Sequence, residues 1–186
     1  MMLASSRIET PTGALLLVVR DDAACAIAFA DCTTRVLAHL ARRFDTPRIV
    51  PAKDPGGIAS LLEAYIAGDM AAADRVRVDL GGTPFQRSVW DALRMIPCGT
   101  TIAYQELATR LGTAKAVRAV ASANAQNPVS IVIPCHRVIG KNGTLTGYAG
   151  GLPRKEWLLM HEARSLRHAG KEYASKAVPR IECRVS

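Results

Sequence analysis

The chain has 186 residues, of which 49% are hydrophobic but only 5% aromatic, enough for one domain or two small ones around a mostly aliphatic core. That composition excludes a disordered or fibrous protein, and no apolar run approaches the roughly 20 residues of a membrane span. The net charge of +8 is unevenly placed: residues 1–84 carry 9 Lys/Arg against 10 Asp/Glu, whereas 85–186 carry 15 against 6.

In chain order, GALLLVVR (13–20) and ACAIAFA (24–30) predict two strands around an Asp-Asp turn at 21–22. TTRVLAHLARRF (33–44) predicts a helix with Val36, Leu37, Leu40, Ala41 and Phe44 on one face. IASLLEAYIAG (58–68) predicts a helix stopped by glycine, and the alternation in DRVRVDL (74–80) predicts a half-buried strand. These residues form a small α/β unit without a chemical motif. Gly81-Gly82 marks a boundary. Thr83-Pro84-Phe85-Gln86 then carries the signature of a capping box with proline at the first helical position. Phe85, Val89, Leu93 and Ile96 give that helix its stripe, and Pro97 ends it.

AYQELATRLG (103–112) and TAKAVRAVASANAQN (113–127) predict two short helices joined by a tight glycine-containing turn. Lys115, Arg118 and Ser122 share one face of the second, with Val117, Val120 and Ala121 opposite. The pattern fits a helix-turn-helix against a nucleic-acid backbone, and equally an ordinary αα-hairpin with a wet basic face. The charge asymmetry favours a polyanionic partner, most often nucleic acid. VSIVI (129–133) predicts a buried strand, 140–151 a loop, and PRKEWLLMHEA (153–163) a helix. From about residue 165 the chain is basic and lacks apolar periodicity, the pattern of a mobile tail.

Two Ile-Pro-Cys tripeptides stand out. Cys98 is followed by glycine and two threonines and has no charged neighbour in sequence, so it reads as an inert loop cysteine. Cys135 is followed by His136 and Arg137 at the end of the expected buried strand. Its local sequence fits a reactive thiol or a buried structural cysteine. Glu162 bears on the choice. It lies four residues after Leu158 and three after Leu159, on the apolar side of its helix. A carboxylate facing a core demands a partner, or else must snorkel to solvent, and a Cys–His–carboxylate set is a known way to activate a thiol. His136 is the natural partner, with His161 and His168 as rivals. Neighbours in extended chain point opposite ways, so His136 reaches Cys135 only through a water or after a turn. With five irregularly spaced cysteines and neither CxxC nor HxxxH, neither a disulfide framework nor a metal site is expected. The N-terminal residues lack a signal-peptide apolar core, so a cytoplasmic location is expected.

The segments YQELA, AVRAVASANAQNPVSIVIPCHRVIG and GYAGGLPRKEWLLMHE, spanning about Thr83 to Glu162, resemble the O6-alkylguanine-DNA alkyltransferase family. The resemblance implies an N-terminal ribonuclease-H-like α/β domain at 1–82. It implies a mostly α C-terminal domain at 83–165 with a winged-helix-like helix-turn-helix, followed here by the basic tail at 166–186. It implies DNA repair by a single-use transfer of the alkyl group from a flipped O6-alkylguanine to Cys135. His136 then deprotonates Cys135 through a water, Glu162 orients His136, and Asn127 holds that network and the segment before the cysteine. Tyr104 protonates the leaving guanine, and Arg118 fills the gap in the base stack. Lys115, Ala116, Ala119, Ser122, Ala123 and Arg137 complete the DNA-binding set. Val138, Tyr148, Ala149 and Gly150 form the guanine pocket. The implied partner is duplex DNA gripped through the minor groove without strong sequence preference, by a monomer whose cooperativity along DNA stays open, with no membrane association. No cofactor is expected, and no zinc, because Cys25, Cys32 and His39 do not match the family's N-terminal zinc ligands. The competing readings are a helix-turn-helix protein with a structural or redox cysteine, and a thiol hydrolase.

Overall fold

The computed structural model describes residues 1–45, 47–168 and 170. The N-terminal part is a four-stranded mixed sheet with two helices. Strands β1 (Met2–Ile8), β2 (Leu15–Arg20) and β3 (Ala23–Phe29) form an antiparallel meander, and β4 (Arg48–Pro51) adds parallel to β1, giving the order β3-β2-β1-β4. The Asp-Asp turn is as expected. Asp21 and Asp22 adopt φ +46° and +61°, the left-handed pair a tight hairpin demands and short polar side chains tolerate. Both faces of the sheet are covered, which is why β2 reads LLLVV instead of alternating with polar residues. Val18 joins Leu3, Cys25, Ala26 and Ala28 beneath α1 (Thr34–Arg43), while Leu15, Leu17 and Val19 face the main core. On α1 only Val36 and Leu40, with Phe44 just beyond, are buried. Leu37 and Ala41 of the expected stripe are exposed.

Helix α2 (Ile58–Ala67) ends as expected at a left-handed glycine, Gly68 with φ +113°. The strand expected at 74–80 does not form. Residues Met70–Arg75 make a 3-10 turn, and Val78 contributes one isolated bridge to Ala24. The alternation there reflects a chain lying along the edge of β3 without joining the sheet as a strand.

The C-terminal part is helical. Helix α3 (Pro84–Arg94) carries the expected capping box, with Gln86 N donating to Thr83 Oγ1 at 3.2 Å and Thr83 N to Gln86 Oε1 at 2.8 Å. It buries Val89, Trp90 and Leu93. Helices α4 (Tyr104–Arg110) and α5 (Val117–Ala125) form the expected pair, and α6 (Leu152–His168) closes the fold. Helix α6 runs five residues past its expected end. Leu166, Arg167 and His168, expected in the tail, are therefore helical; residues 169 and 171–186 of that tail lie outside the described residues. Short strands β5 (Ile102–Ala103) and β6 (Val138–Ile139) pair in parallel. The apolar run 129–133 is buried as expected but is a tight turn rather than a strand. One core joins the two parts, with Leu17, Ile27 and Leu62 packed in the same cluster as Val89, Ile133 and Leu158.

Candidate active site

Asn127 builds the approach to Cys135. Its Nδ2 donates to the Ile133 carbonyl at 2.8 Å and to Cys135 Sγ at 3.2 Å, and its Oδ1 accepts from Val129 N at 2.9 Å. These bonds brace a turn in which Ile131 has φ +74°, a left-handed conformation that is costly for a β-branched residue. The sheet edge braces it from outside. Ile27 N donates to the Pro128 carbonyl at 2.9 Å, and Ser130 N donates to the Ile27 carbonyl at 2.8 Å. The N-terminal part thus sets the position of the turn that leads to Cys135. Asn127 bonds neither His136 nor Glu162; the network role expected for it falls instead on the turn and on the sulfur itself.

Cys135, His136 and Arg137 form a single 3-10 turn. Cys135 is only 5% exposed. Burial pushes its thiol up, and the Asn127 amide and the nearby Lys155 ammonium pull the other way, so the resting form is the protonated thiol. His136 and Glu162 are fully buried, and His136 Nε2 lies 2.8 Å from Glu162 Oε1. A carboxylate at Nε2 fixes that nitrogen as the donor and leaves the Nδ1 lone pair as the basic site. Nδ1 is buried and has no partner among the described residues. Burial lowers the His136 pKa, opposed by Glu162, so the ring is neutral near pH 7 and ready to accept a proton.

Glu162 is the hub of this network. Besides His136 it accepts from Tyr65 Oη at 2.9 Å, from Gly99 N at 2.9 Å, and from Arg137 Nη2 at 2.8 Å and Nε at 3.1 Å. Burial alone would raise its pKa, but His136 and Arg137 hold the carboxyl far below the usual range. The rival histidines are occupied elsewhere: His161 bonds the Tyr65 carbonyl at 2.9 Å and stacks on Trp157, and His168 bonds the Arg164 carbonyl. Cys98 is not free of charged neighbours, as its local sequence implied. Burial first and Glu162 second push its thiol up to about 12, which makes it inert for a different reason.

Arg137 does not have the DNA-contact position expected of it. It is buried, its Nη1 donates to the Ile96 carbonyl at 2.7 Å, and the rest of its guanidinium is spent on Glu162. Ala123 is a second correction. It packs in the core, and its carbonyl accepts from Trp90 Nε1 at 2.9 Å. Lys115, Arg118, Ala119 and Ser122 do lie exposed on one side of α5, with Ala116 half-buried at its start.

Around Cys135, β5–β6 pairing places Tyr104, the first residue of α4, beside the chain leaving the 3-10 turn. Asn124 Nδ2 donates to Tyr104 Oη at 3.3 Å. Burial first and the Cys135 charge second raise the phenol pKa of both Tyr104 and Tyr148. Tyr148 sets its edge against His136, with ring centroids 6.5 Å apart and planes at 82°. Gly150 is pressed against Phe29 and Tyr148, where a Cβ would come within 2.6 Å of the Phe29 ring, while Ala149 is exposed. The Val138 carbonyl accepts from Lys155 Nζ at 2.5 Å, and the same ammonium donates to the Thr146 carbonyl at 2.7 Å. Lys155 therefore ties β6 to the loop that carries Thr146. Its burial lowers its pKa to about 8.

Sequence reasoning missed Lys155, Tyr65 and Gly99. For Lys155 a signal existed. It lies seven residues before Glu162 on the same buried side of α6 as Leu158, Leu159 and Leu166, so the periodicity that singled out one charged residue applies equally to the other. For Tyr65 and Gly99 no local signal exists, because their partner is reached only through the fold.

Comparison with known proteins identifies the family. Residues 84–164 match the family model "6-O-methylguanine DNA methyltransferase, DNA binding domain". A methylated-DNA–protein-cysteine methyltransferase of Salmonella typhimurium is 49% identical over 163 residues, covering 86% of this chain and 95% of the relative. One of Mycolicibacterium paratuberculosis is 40% identical over 166 residues, covering 88% and 94%. The crystal structure of Mycobacterium tuberculosis OGT in complex with DNA superposes with a TM-score of 0.72 at 36% identity, covering 89% of this chain and 94% of that one. Its relatives share the mixed-sheet N-terminal part and the helical C-terminal part, and the chain belongs to the methylated-DNA–protein-cysteine methyltransferase family.

Proposed function

We infer that this chain repairs O6-alkylguanine in DNA by moving the alkyl group onto Cys135. The observation that carries the reading is the buried Cys135–His136–Glu162 set, in which the sulfur takes the Asn127 amide hydrogen bond and His136 offers a basic Nδ1 without a partner among the described residues. His136 is not bonded to the sulfur, so a water relays the thiol proton to Nδ1 while Glu162 holds the imidazolium that forms. The thiolate attacks the alkyl carbon, a C–S bond forms, and the carbon–O6 bond breaks. Tyr104 supplies the proton that the leaving guanine needs. Because Asn124 donates to its oxygen, the Tyr104 hydroxyl hydrogen is left to point elsewhere. A thioether does not hydrolyse under these conditions, so each molecule acts once.

The reacting sulfur is buried, and O6 of a stacked guanine is out of its reach, so the nucleotide must leave the duplex first, at a cost of a few kcal/mol. The exposed side of α5 supports the binding surface: small Ala119 for close approach in the minor groove, Lys115 and Ser122 for phosphates, and Arg118 to occupy the vacated stack. Val138, Tyr148, Ala149 and Gly150 line the guanine pocket. We read residues 83–165 as the DNA-binding and acceptor unit with a winged-helix-like helix-turn-helix. We read 1–82 as ribonuclease-H-like, supported by an antiparallel meander with a parallel fourth strand beside the first.

Mixing the protein with duplex DNA containing O6-methylguanine tests the function. Peptide mass spectrometry is expected to find one methyl group on the Cys135 peptide and never more than one per molecule. Methyl elsewhere, or repeated turnover, would overturn the reading. Arg118→Ala is expected to slow transfer from paired O6-methylguanine by about tenfold or more, the scale of a lost contact worth about 1.4 kcal/mol, and to recover on a mismatched or unpaired target. Arg118 is exposed, so thermal melting should not change.

A further inference from the structure

A cleft of about 630 Å³ between α1 and α3 shares only Asn127 with the site around Cys135. Arg35, His39, Arg42 and Arg43 of α1 face Gln86 of α3 and Gln126 just beyond α5, and no Asp or Glu lines it. Arg35, His39 and Arg42 follow one another at spacings of four and three, a single stripe along α1. Arg43 is committed to Asp79, and His39 to the Leu80 carbonyl. Arg35 and Arg42 are exposed and form no ion pair among the described residues. Like charges gathered on one side of a helix destabilise it, so the fold itself gains nothing from this arrangement.

The cleft continues the surface assigned to DNA. Gln126 Nε2 donates to Ser122 Oγ at 3.0 Å, and Ser122 lies one turn along α5 from Arg118. From Arg118 to Gln126 the chain advances about 12 Å, which one DNA strand covers in about three or four phosphates. The lining also includes Asn127, next to Gln126, whose side chain bonds Cys135 Sγ. On the DNA-repair reading, a strand running along α5 past Arg118 and Ser122 reaches this opening at Gln126. The cleft is far larger than one phosphate fills, and its charged groups sit on flexible stems at the rim, an arrangement suited to a backbone rather than to a base.

Resting on the DNA-repair reading above, we propose that this cleft is a second phosphate-backbone site, in which Arg35 and Arg42 grip the strand flanking the flipped nucleotide. The N-terminal part then contributes directly to DNA binding as well as bracing the turn that leads to Cys135.

Fluorescence anisotropy with an undamaged duplex, titrated between about 50 and 200 mM salt, tests this. Each lost phosphate contact should flatten the slope of log K against log salt by about 0.9. Arg42→Gln is expected to lower the slope by about that amount, the Arg35→Gln/Arg42→Gln double variant by about 1.8, and Arg42→Lys to keep it. A native slope in the double variant overturns the proposal, whatever the affinity. So does an Arg42→Lys variant that loses as much slope as Arg42→Gln, because packing and not charge would then be at work. Inorganic triphosphate that binds the unaltered protein more tightly than duplex does would identify a soluble polyphosphate site and also overturn it. If the unaltered protein binds no duplex at all, the repair reading itself fails; binding with an unchanged slope in the variants removes only the cleft.

Discussion

Cys135→Ser is expected to keep the fold and DNA binding and to abolish transfer. Serine is nearly isosteric, and its oxygen still accepts the Asn127 Nδ2 hydrogen bond that the sulfur takes at 3.2 Å. The turn through Ile131 and its ties to Ile27 do not depend on the sulfur, because they run through backbone groups and through the Asn127 bonds to Val129 and Ile133. The nucleophile, however, is lost. A thiol whose pKa burial raises is within reach of an imidazole base, whereas an alcohol is far less acidic still. The loss should be on the order of 10⁶-fold, the scale seen when a nucleophile that works as a unit with its base is removed. Two measurements check it together: methyl transfer to protein by mass spectrometry, and duplex affinity by anisotropy. A Cys98→Ser variant provides the contrast. Cys98 lies near Glu162 with its thiol pushed up to about 12, so its removal should leave transfer intact. Transfer retained in Cys135→Ser, or lost in Cys98→Ser, would move the acceptor role away from Cys135.

What could be read in advance follows from how local each signal is. The capping box at Thr83, the glycine stop at 68 and the Asp-Asp hairpin are decided by a few adjacent residues, and all three form as their sequence demands. Glu162 was legible because a helix repeats every 3.6 residues and a carboxylate on the buried side needs a partner. The same logic extends to Lys155. By contrast, β1 carries Ser5, Ser6 and Arg7 between its two buried residues, Leu3 and Ile8, so it shows no alternation although β2 and β4 flank it. The run 129–133 misleads in the opposite direction. Four apolar residues around Ser130 fit a buried strand or any other buried segment, and periodicity cannot separate them. Asn127 decides the matter by supplying three hydrogen bonds that a strand would have taken from a neighbour. Arg137 has an ambiguous neighbourhood for the same reason. Beside a reactive cysteine on a basic surface it suggests DNA, and only the arrival of Glu162 from α6 turns it inward.

Glu162→Gln is expected to cost the protein both stability and activity. The carboxylate is fully buried and is the one acidic partner of Arg137 among the described residues, while Tyr65, Gly99 and His136 also donate to it. An amide of the same shape keeps one acceptor oxygen and presents two N–H donors to a site already crowded with donors. It also leaves the Arg137 charge buried without compensation. Removing one partner of a buried pair typically costs about 3–5 kcal/mol, which for a domain of this size is a fall in melting midpoint of roughly 6–20 °C. The pH dependence separates this electrostatic loss from a packing loss. The Glu162 pKa is depressed from its ordinary value of 4.5. Its contribution is therefore fully present above the unfolded-state value and is lost as pH falls through the much lower folded-state value. The stability gap between native protein and Glu162→Gln should be widest near neutral pH and narrow progressively once pH falls below about 4.5. A gap constant from pH 7 down to the acid limit would mean that shape, not charge, is what Glu162 supplies. Transfer measured on the folded fraction should fall as well, because His136 without its carboxylate loses both the preference for a basic Nδ1 and the stabilisation of the imidazolium. If the folded fraction of Glu162→Gln transfers methyl at the native rate, Glu162 is a structural hub only, and His136 is positioned by the turn alone.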